Sequence, residues 1–273
     1  MFRDRKLVDI ANKNDFNAWD KEEIKDTALE KAIKKVQDDN LCISNNQFEI
    51  NSEKSWDKFY RMHQDNFFKN RKWIIEEFKD ILSRRKILEI GCGVGSSLHH
   101  FFKINEDEAA ISSALNESRF DIYGCDFSPK AVSICQKKYK GTFFIHDLTS
   151  DVPLPTGFDT ILLIFTLSAI EPKYHAHVLE KAYKALNPNG RLYFKDYGVL
   201  DMVQLRYKSN KIVEQNFYMR NDGTLTYFFG EDYFRSLTGE FKIVEFMMDK
   251  RLLINRKRNL DMYRVYVQCV LEK

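Results

Sequence analysis

The chain is poor in cysteine, in proline and in long apolar runs, and each shortage excludes a class of protein. Its 273 residues include 5 cysteines, none in a CxxC pair, so zinc ribbons and thioredoxin-type redox sites are unsupported. With 5 prolines and 11 glycines, collagen-like and low-complexity chains are excluded. The longest uncharged, mostly apolar run, Thr160 to Ile170, is too short to cross a bilayer. Because the N-terminus lacks the apolar segment of a secretion signal, we expect free thiols in the cytoplasm, with the nucleus as a second compartment.

A strong charge of either sign is missing as well. The chain has 43 basic and 40 acidic residues, and this near-balance neither demands nor excludes a nucleic-acid partner. Its 6 histidines show no HExxH or other zinc-ligand spacing, and we predict no metal site. Apolar residues make up 44% of the chain, which is typical of a globular protein with a substantial core.

Three segments differ in character along the chain. Residues 1–50 are polar, with a helical pattern over 20–37. Residues 51–82 carry aromatic and basic side chains at helical spacing, with one helix at the start and a second helical stretch over 73–81. Residues 83–273 alternate between strand and helix patterns, and we predict that they form the main domain.

The main domain shows the alternation of an α/β fold. Strands are predicted at 86–90, 120–125, 142–146, 158–164 and 191–195, and helices at 96–103, 128–138 and 173–185. Strands that alternate with helices imply right-handed crossovers and a mostly parallel sheet. Residues 104–119 are predicted to be an acidic surface insertion. Two long strands over 241–248 and 263–271 are predicted to close the sheet in antiparallel fashion, after a hairpin at Asn221-Asp222-Gly223.

A glycine-rich turn, Gly91-Cys92-Gly93-Val94-Gly95, joins the first of these strands to its helix. Glycine permits a tight turn and the close approach of a ligand, and the start of the helix offers N–H groups to a carboxylate or phosphate. The spacing is GxGxG, and no Lys-Ser/Thr follows, so a P-loop is excluded. Packing alone also accounts for glycines in such a turn, and this alternative stays open.

Acidic residues follow the next two strands. Asp126 ends the second strand, where a carboxylate is placed to accept both hydroxyls of a ribose. Asp147-Leu148 ends the third, where the acid suits an adenine amino group and the leucine suits its ring. Because ligands of open α/β sheets bind at the carboxyl ends of strands, the three strand ends together predict a nucleoside-type cofactor. Solvated turns at the strand ends are the alternative.

The motif from Glu89 to Gly95, together with Asp126, resembles the class I S-adenosylmethionine-dependent methyltransferases. A narrower resemblance rests on nine blocks that recur in order: Trp56-Asp57-x-Phe59-Tyr60, Phe67-Phe68-Lys69-x-Arg71-x-Trp73, Glu77-Phe78, the glycine turn, Cys125-Asp126-Phe127-Ser128-Pro129, Asp147-Leu148-Thr149, Leu163-Ile164-Phe165-x-Leu167-Ser168-Ala169, Asp196-Tyr197-Gly198 with Asp201, and Asn216-Phe217-Tyr218-x-Arg220-x-Asp222-Gly223-Thr224. Over residues 53–273 the chain is therefore similar to the eukaryotic family that makes 3-methylcytidine at position 32 of the tRNA anticodon loop.

The resemblance implies a Rossmann-like class I fold, with a mostly parallel seven-stranded sheet, antiparallel C-terminal strands and a helical N-terminal extension. It also implies S-adenosylmethionine as the cofactor and S-adenosylhomocysteine as the product. The residues expected to bind the cofactor are Trp56, Tyr60, Glu89, Gly91, Gly93, Asp126, Phe127, Asp147, Leu148 and Ile164. Trp56 and Tyr60 lie in an aromatic stripe that packing alone also explains, and both interpretations hold if their helix covers the cofactor as a lid.

In this family the target is N3 of cytosine, whose in-plane lone pair attacks the sulfonium methyl in line and needs no general base. The enzyme aligns the reactants, and a carboxylate near the ring would stabilise the positive charge that develops on the base. It would also accept from the exocyclic amino group. Asp196, at the end of the fifth strand, is our first candidate and Asp201 the second. For each, the alternative is a helix cap or an ion pair with Arg206.

The implied partner is tRNA, and some members of the family also require a seryl-tRNA synthetase. Basic residues form two clusters, the first interleaved with aromatic residues, a pattern typical of backbone contact and base stacking. Our candidate RNA contacts are Lys69, Arg71, Lys72, Arg206, Arg220, Arg256, Lys257 and Arg258. A solvated basic face is the alternative.

Other functions compete with this prediction. A methyltransferase for a different RNA site, a protein or a small molecule would share the cofactor site, but a protein or small-molecule enzyme has no need of the basic clusters. An NAD-dependent dehydrogenase is disfavoured by the GxGxG spacing and by the position of Asp147-Leu148. A catalytically silent RNA-binding subunit is disfavoured by the intact glycine turn and by Asp126.

Overall fold

The computed structural model describes residues 5–24, 26–41, 43, 48–111 and 118–273. Its α-helices are α1 (Asp26–Leu41), α2 (Ser52–His63), α3 (Trp73–Glu77), α4 (His99–Ile111), α5 (Pro129–Lys138), α6 (His175–Ala185), α7 (Met202–Leu205) and α8 (Glu231–Leu237). Short 3₁₀ helices lie at Ile10–Asn12, Lys79–Ser83, Leu167–Ala169, Pro172–Tyr174, Ser209–Lys211 and Arg256–Arg258. No helix within the described ranges is long and apolar enough to pass through a membrane.

The strands form two sheets. They are β1 (Ala18–Asp20), β2 (Lys86–Ile90), β3 (Asp121–Asp126), β4 (Thr142–Ile145), β5 (Phe158–Ile164), β6 (Leu186–Tyr197), β7 (Ile212–Glu214), β8 (Phe217–Met219), β9 (Leu225–Tyr227), β10 (Lys242–Asn255) and β11 (Leu260–Glu272). The larger sheet has the order β1-β10-β11-β6-β5-β2-β3-β4, and the smaller has β7-β8-β9. From β6 to β4 the strands run parallel, while β11, β10 and β1 add in antiparallel fashion. This confirms the predicted mostly parallel sheet with antiparallel C-terminal strands, and β1 makes it eight-stranded in the described part of the chain.

Helices cover both faces of the larger sheet because its central strands are apolar on both faces. Ile87 and Leu88 of β2 point to opposite faces, and both are fully buried. Residues of α3, α4 and α5 pack around Ile87 on one face, and residues of α6 and α8 belong to the core around Leu88 on the other. Each such fully buried side chain contributes about 1.5–3 kcal/mol. These two cores hold the carboxyl ends of the parallel strands in a fixed array.

The N-terminal segment contains a strand, β1, just before the helix that the sequence predicts. β1 pairs with β10, and Trp19 is buried against Leu252, which lies opposite it in the register. The helix predicted over 20–37 therefore starts later, at Asp26, and continues to Leu41. Local spacing did not indicate this strand because its partner lies near the other end of the chain.

Two further helix boundaries differ from the sequence prediction. α4 extends to Ile111, so the first half of the insertion predicted over 104–119 is helical, and residues 112–117 lie outside the described part of the chain. The helical stretch predicted over 73–81 divides at Phe78, whose φ of -107° and ψ of 70° end α3 before a 3₁₀ helix begins.

The predicted hairpin at Asn221-Asp222-Gly223 joins β8 to β9 in the smaller sheet. Gly223 has a φ of +82°, and the Thr224 N–H donates to Asp222 Oδ1 at 3.0 Å, so glycine and an Asx turn shape the loop. The hairpin is fastened to the end of β6, since the Phe229 N–H donates to the Tyr197 carbonyl at 2.8 Å. The smaller sheet therefore stands at the carboxyl edge of the larger one.

Candidate cofactor and substrate site

The carboxyl ends of β2, β3, β4 and β5 border a cavity of about 370 Å³, the first cavity. Parallel strands bring their carboxyl ends to one edge, where open α/β sheets bind ligands. The cavity wall includes Gly91 after β2, Asp126 at the end of β3, Leu148 after β4 and Thr166 after β5. The three strand ends that the sequence singled out therefore meet, and β5 contributes a fourth.

The glycine turn after β2 has three residues in the left-handed backbone region, Gly91, Gly93 and Gly95. Gly91 has a φ of +69° and Gly93 a φ of +52°, values that residues with a Cβ rarely adopt. A Cβ on Gly93 would lie 2.6 Å from the hydroxyl oxygen of Tyr60, and a Cβ on Gly91 would collide with the side chain of Thr166. Gly91 and Gly93 are thus required by the backbone and by the space, because Thr166 and Tyr60 pack directly against the turn.

The carboxylate of Asp126 orders this turn. Its Oδ2 accepts the N–H of Gly93 and its Oδ1 accepts the N–H of Ser128, both at 2.9 Å. Asp126 is 5% exposed, and burial raises its pKa to about 6. One side chain thus fixes the loops after β2 and β3 while it lines the first cavity.

Helix α2 forms one wall of the cavity. Trp56 and Tyr60 stack with their ring centroids 5.8 Å apart, and both line the cavity. The same stripe packs against Val94 and Ala131, so these aromatic residues are at once core and cavity wall. The position of α2 is that of a lid over the strand ends.

A second cavity of about 200 Å³ adjoins the first beneath α2. Residues that line both cavities are Trp56, Tyr60, Gly91, Phe165 and Ala169. Residues that line only the second include Gly93, Arg71, Ile164, Ser168, Tyr197 and Arg220. A ligand that occupies both would have one end at the tips of β3 and β4 and the other at the turn leading into α4.

Arg71 lies in the second cavity and not on the outer surface where RNA contact is predicted. Its Nη1 donates to Ser97 Oγ at 3.0 Å and to the Ile164 carbonyl at 3.2 Å. Its guanidinium lies 5.2 Å from the centroid of the Phe165 ring. Arg71 places a positive charge beside the glycine turn, where the carboxylate of a ligand would bind, and its contact with RNA stays a prediction.

Nine of the ten predicted cofactor residues line one cavity or both, and Glu89 is the exception. The nine are Trp56, Tyr60, Gly91, Gly93, Asp126, Phe127, Asp147, Leu148 and Ile164. Glu89 is 1% exposed and lies behind the turn, and burial raises its pKa to about 8. Its Oε2 has no hydrogen-bond partner among the described residues. Glu89 therefore supports the site from behind instead of facing it.

The two predicted catalytic acids are both fully buried, and neither lines the first or the second cavity. Asp196 accepts the N–H groups of Ser168 and Tyr197, each at 2.9 Å, and burial raises its pKa to about 6. Asp196 thus lies behind Ser168 and Tyr197, which line the second cavity. The predicted direct contact with the base is corrected: Asp196 lies one layer behind the cavity wall.

Asp201 is a helix cap. Its Oδ1 accepts the Val203 N–H at the start of α7, and its Oδ2 accepts from Arg264 Nε at 2.8 Å. This matches the alternative of a cap with an ion pair, with Arg264 in the place of Arg206. Both carboxylate oxygens of Asp201 thus serve the fold, which favours the cap over the predicted catalytic role.

The remaining predicted RNA contacts lie mostly in the open. The exposed cations are Lys69, Lys72, Arg206, Arg256, Lys257 and Arg258, and Lys72 forms a loose ion pair with Glu76 at 3.7 Å. Arg220 differs, because it is partly buried in the hairpin between β8 and β9 and reaches the second cavity. Six of the predicted RNA contacts thus lie on the surface, and Arg220 lines the second cavity.

The sequence prediction missed the loop after β5. Phe165 lines both cavities, and Thr166, Ala169, Ile170 and Glu171 line the first. The signal was available, because β5 is a parallel strand whose end should also contribute. Phe165 has a φ of +54°, a strained conformation for an aromatic residue and one that clusters at functional sites.

The fold and this edge are those of a class I, Rossmann-like methyltransferase. A family model described as a methyltransferase domain matches residues 88–192. An S-adenosylmethionine-dependent methyltransferase from Clostridium acetobutylicum is 12% identical, with a TM-score of 0.54 over 80% of this chain and 98% of its own. The 1,6-didemethyltoxoflavin-N1-methyltransferase of Burkholderia thailandensis is 14% identical, with a TM-score of 0.51 over 92% and 93%. These likenesses concern the fold alone.

Sequence relatives are more specific. The tRNA N(3)-methylcytidine methyltransferase Mettl2 of Drosophila melanogaster is 36% identical over 98% of this chain and 87% of its own length. The corresponding trm140 enzyme of Schizosaccharomyces pombe is 33% identical over 100% and 92%. A tRNA(Thr) (cytosine(32)-N(3))-methyltransferase of Saccharomyces cerevisiae is 35% identical over 99% of this chain, which spans 45% of that protein. The chain belongs to the family of tRNA N(3)-methylcytidine methyltransferases.

Proposed function

We propose that this protein transfers a methyl group from S-adenosylmethionine to N3 of cytidine in tRNA, at position 32 of the anticodon loop. The observation that carries the proposal is the near full-length match to a tRNA N(3)-methylcytidine methyltransferase. That match extends well beyond the methyltransferase domain at 88–192. It includes the helix α2 and the β8–β9 hairpin, which close the two cavities.

The residues of the two cavities fit this cofactor. Gly93, without a Cβ, lets Tyr60 of the lid pack directly against the turn, and both residues line the second cavity. Asp126 and Asp147 stand where a ribose and an adenine amino group would be bound, and His146 has a buried Nε2 without a partner among the described residues. Arg71 offers its guanidinium to the carboxylate of the methionine portion. S-adenosylmethionine supplies, when bound, an electrophilic methyl group that a ring nitrogen with a free lone pair accepts without a general base.

The second cavity suits a flat base that gains charge. Phe165 and Tyr197 form an aromatic wall, with ring centroids 5.1 Å apart. Asp196 lies directly behind this wall and, with a pKa of about 6, is mostly ionised at neutral pH. Its negative charge in a buried setting favours the positive charge that methylation at N3 creates on the base.

The test is a methylation reaction with purified protein, S-adenosylmethionine and a tRNA transcript, followed by mass spectrometry of the nucleosides. We expect 3-methylcytidine from the wild-type transcript and none when cytidine 32 is replaced by uridine. Asp126→Asn is the matched protein control, because it keeps the shape of the side chain and removes its charge. Product from the uridine-32 transcript, or no product with or without added seryl-tRNA synthetase from a protein that binds the cofactor, would overturn the proposal.

The proposed partners and compartment follow from the same resemblance. tRNA is the substrate, seryl-tRNA synthetase is the proposed helper, and the cytoplasm is the proposed location, with the nucleus as a second one. The helper is tested by repeating the reaction on serine tRNA with and without the synthetase, where a rate that does not change excludes it. The compartment is tested by imaging a fluorescent fusion.

A further inference from the structure

A third cavity, of about 460 Å³, lies beside the candidate active site and is lined by cations. Arg206, Lys208, Lys211 and Arg220 contribute to its wall, and no acidic side chain does so among the described residues. Arg206 and Lys208 are exposed, and Lys211 is half-buried. These three cations have no ion pair with any described carboxylate, so their charge is available to a ligand.

The cavity is built on a rigid floor. Tyr207 lines it and stacks on Tyr218 of β8, with ring centroids 4.8 Å apart. Tyr207 also contacts the Arg220 guanidinium through its hydroxyl. The nearest acid in sequence, Asp222, turns its Oδ1 to the N–H and hydroxyl of Thr224. Tyr207 and Arg220 therefore have defined positions in the wall, beside which the three other cations lie.

Arg220 connects this cavity to the candidate active site. It lines both the third cavity and the second, where Phe165 and Tyr197 stand. The other cations lie on the segment that follows β6: Arg206 is the C-cap of α7, Lys208 is the N-cap of the 3₁₀ helix Ser209–Lys211, and Lys211 ends that helix. An anion bound in the third cavity would therefore be separated from a base in the second cavity by the Arg220 side chain.

We propose that the third cavity is a phosphate subsite that binds the backbone phosphate next to the target nucleotide and so holds the extruded base in the second cavity. The proposal rests on the proposed function, since it takes RNA as the substrate. A base that leaves its stack carries its phosphates with it, and phosphate contacts fix register without reading sequence. Three cations without an ion pair to a described carboxylate match that chemistry, and Arg220, which also interacts with Asp222, sets the distance between the phosphate and the base.

The test compares Lys208→Ala/Lys211→Ala with wild type on two RNAs. One is the unmodified anticodon stem-loop, and the other carries a neutral methylphosphonate in place of the phosphate on either side of the target cytidine. Removal of a charge-assisted hydrogen bond should weaken the RNA Kd and raise KM about tenfold or more. We expect one of the two methylphosphonates to do this to wild type and to leave the double variant almost unchanged, because that variant no longer has the lysines that bind the phosphate.

The control is Lys137→Ala/Lys140→Ala, which removes the same charge from exposed lysines at the far end of α5. It should retain wild-type sensitivity to the methylphosphonate, and Lys208→Arg/Lys211→Arg should restore most of the affinity. Affinity for S-adenosylmethionine, measured by calorimetry, should be equal in all variants and shows that they are folded.

The outcomes separate the two proposals. If the double variant binds unmodified RNA as tightly as wild type, or if its loss of affinity adds to that of the methylphosphonate, the phosphate subsite is overturned. If wild type shows the expected phosphate sensitivity but methylates no cytidine N3, the function is overturned while the subsite stands. Equal losses of affinity in the Lys137/Lys140 control would mean a nonspecific charge effect and would also overturn the subsite.

Discussion

Asp57 and Ser128 join the lid helix to the cofactor edge: Asp57 Oδ1 accepts the Ser128 hydroxyl at 2.8 Å. The same oxygen accepts the Lys130 N–H at 3.2 Å. Ser128 is the N-cap of α5, where its own Oγ accepts the Ala131 N–H, and it follows Asp126 by two residues. One carboxylate on α2 therefore completes the cap of α5 and fixes the lid over the first cavity.

Asp57→Ala should loosen the lid. We expect a Kd for S-adenosylmethionine about tenfold weaker, because Trp56 and Tyr60 lose their anchor, and an unfolding free energy lower by about 1–2 kcal/mol because the cap of α5 loses two hydrogen bonds. Calorimetry and urea denaturation measure the two effects. Asp65→Ala is the matched control, because Asp65 is a half-exposed acid in an ion pair with Lys138 at 2.9 Å. This variant should lower the unfolding free energy by less than about 1 kcal/mol. Equal effects of the two variants would contradict the anchoring role.

Gly93 and Tyr60 form a second link between the turn and the lid. In Gly93→Ala the new Cβ would meet the Tyr60 hydroxyl at 2.6 Å, on a backbone with a φ of +52°. In a Tyr60→Phe background the nearest ring carbon lies at 3.4 Å, so the steric part of the cost disappears and about 1–2 kcal/mol of left-handed strain remains. We therefore expect Gly93→Ala to lower the unfolding free energy more in wild type than in Tyr60→Phe. Equal costs in a double-mutant cycle by chemical denaturation would show that the two residues are not coupled.

The pKa of Asp126 predicts opposite pH trends for cofactor affinity and for stability. Burial raises this pKa from 3.8 to about 6, so the folded chain binds the proton more tightly than the unfolded chain does. The stability of the free protein should fall as pH rises from 3.8 to about 6. The ionised form should bind the ribose, so affinity for S-adenosylmethionine should fall about tenfold for each pH unit below this pKa.

Calorimetry between pH 5 and 8 tests the affinity trend, and urea denaturation over the acidic range tests the stability trend. Asp126→Asn should bind the cofactor weakly with a flat pH profile over this range. It should also lose part of the stability trend, the remainder being due to Asp196 and Glu89, whose pKa values burial raises in the same way. A wild-type affinity that does not change between pH 5 and 7 would contradict the ionised role of Asp126.

The sequence predicted the strand-end part of the site because that part depends on local patterns. β2 and β5 are short runs of apolar residues, and the chemistry-bearing residues Gly91, Asp126 and Asp147 stand at or just after strand ends. Once the sheet is parallel, these positions meet at one edge whatever the rest of the chain does. Nothing beyond the alternation of strands and helices was needed to bring them together.

The second cavity could not be predicted in the same way because its walls depend on contacts between distant positions. Arg71 binds the carbonyl of Ile164, 93 positions away, and a basic residue beside aromatic ones is equally typical of an RNA surface. Asp196 ends β6 and Asp201 follows it, and only tertiary contacts assign one to the layer behind the cavity wall and the other to a helix cap. The strained backbone of Phe165 has no sequence signal either, because it is not a glycine.

The β10–β11 hairpin extends the cationic surface past the active-site edge. The pairing of β11 with β6 ends at Tyr266 and Tyr197, but β10 and β11 stay paired as far as Asn255 and Leu260. At about 3.4 Å per residue the hairpin projects roughly 20 Å beyond the sheet edge at which the cavities open. The exposed residues Arg256–Arg258 form its tip.

Reversing charge at the tip, in Lys257→Glu/Arg258→Glu, should weaken tRNA binding and spare S-adenosylmethionine binding. Two favourable phosphate interactions become repulsive, so the Kd for tRNA should rise about tenfold or more. The slope of log K against log salt concentration should become shallower by about 0.7–0.9 for each phosphate that is no longer neutralised. Titrations at two salt concentrations measure both effects, with Lys137→Glu/Lys140→Glu at the opposite edge as the charge-matched control. Because the tip lies far from both cavities, kcat at saturating tRNA should stay unchanged. Unaltered tRNA affinity in the tip variant would show that the hairpin is a solvated basic face.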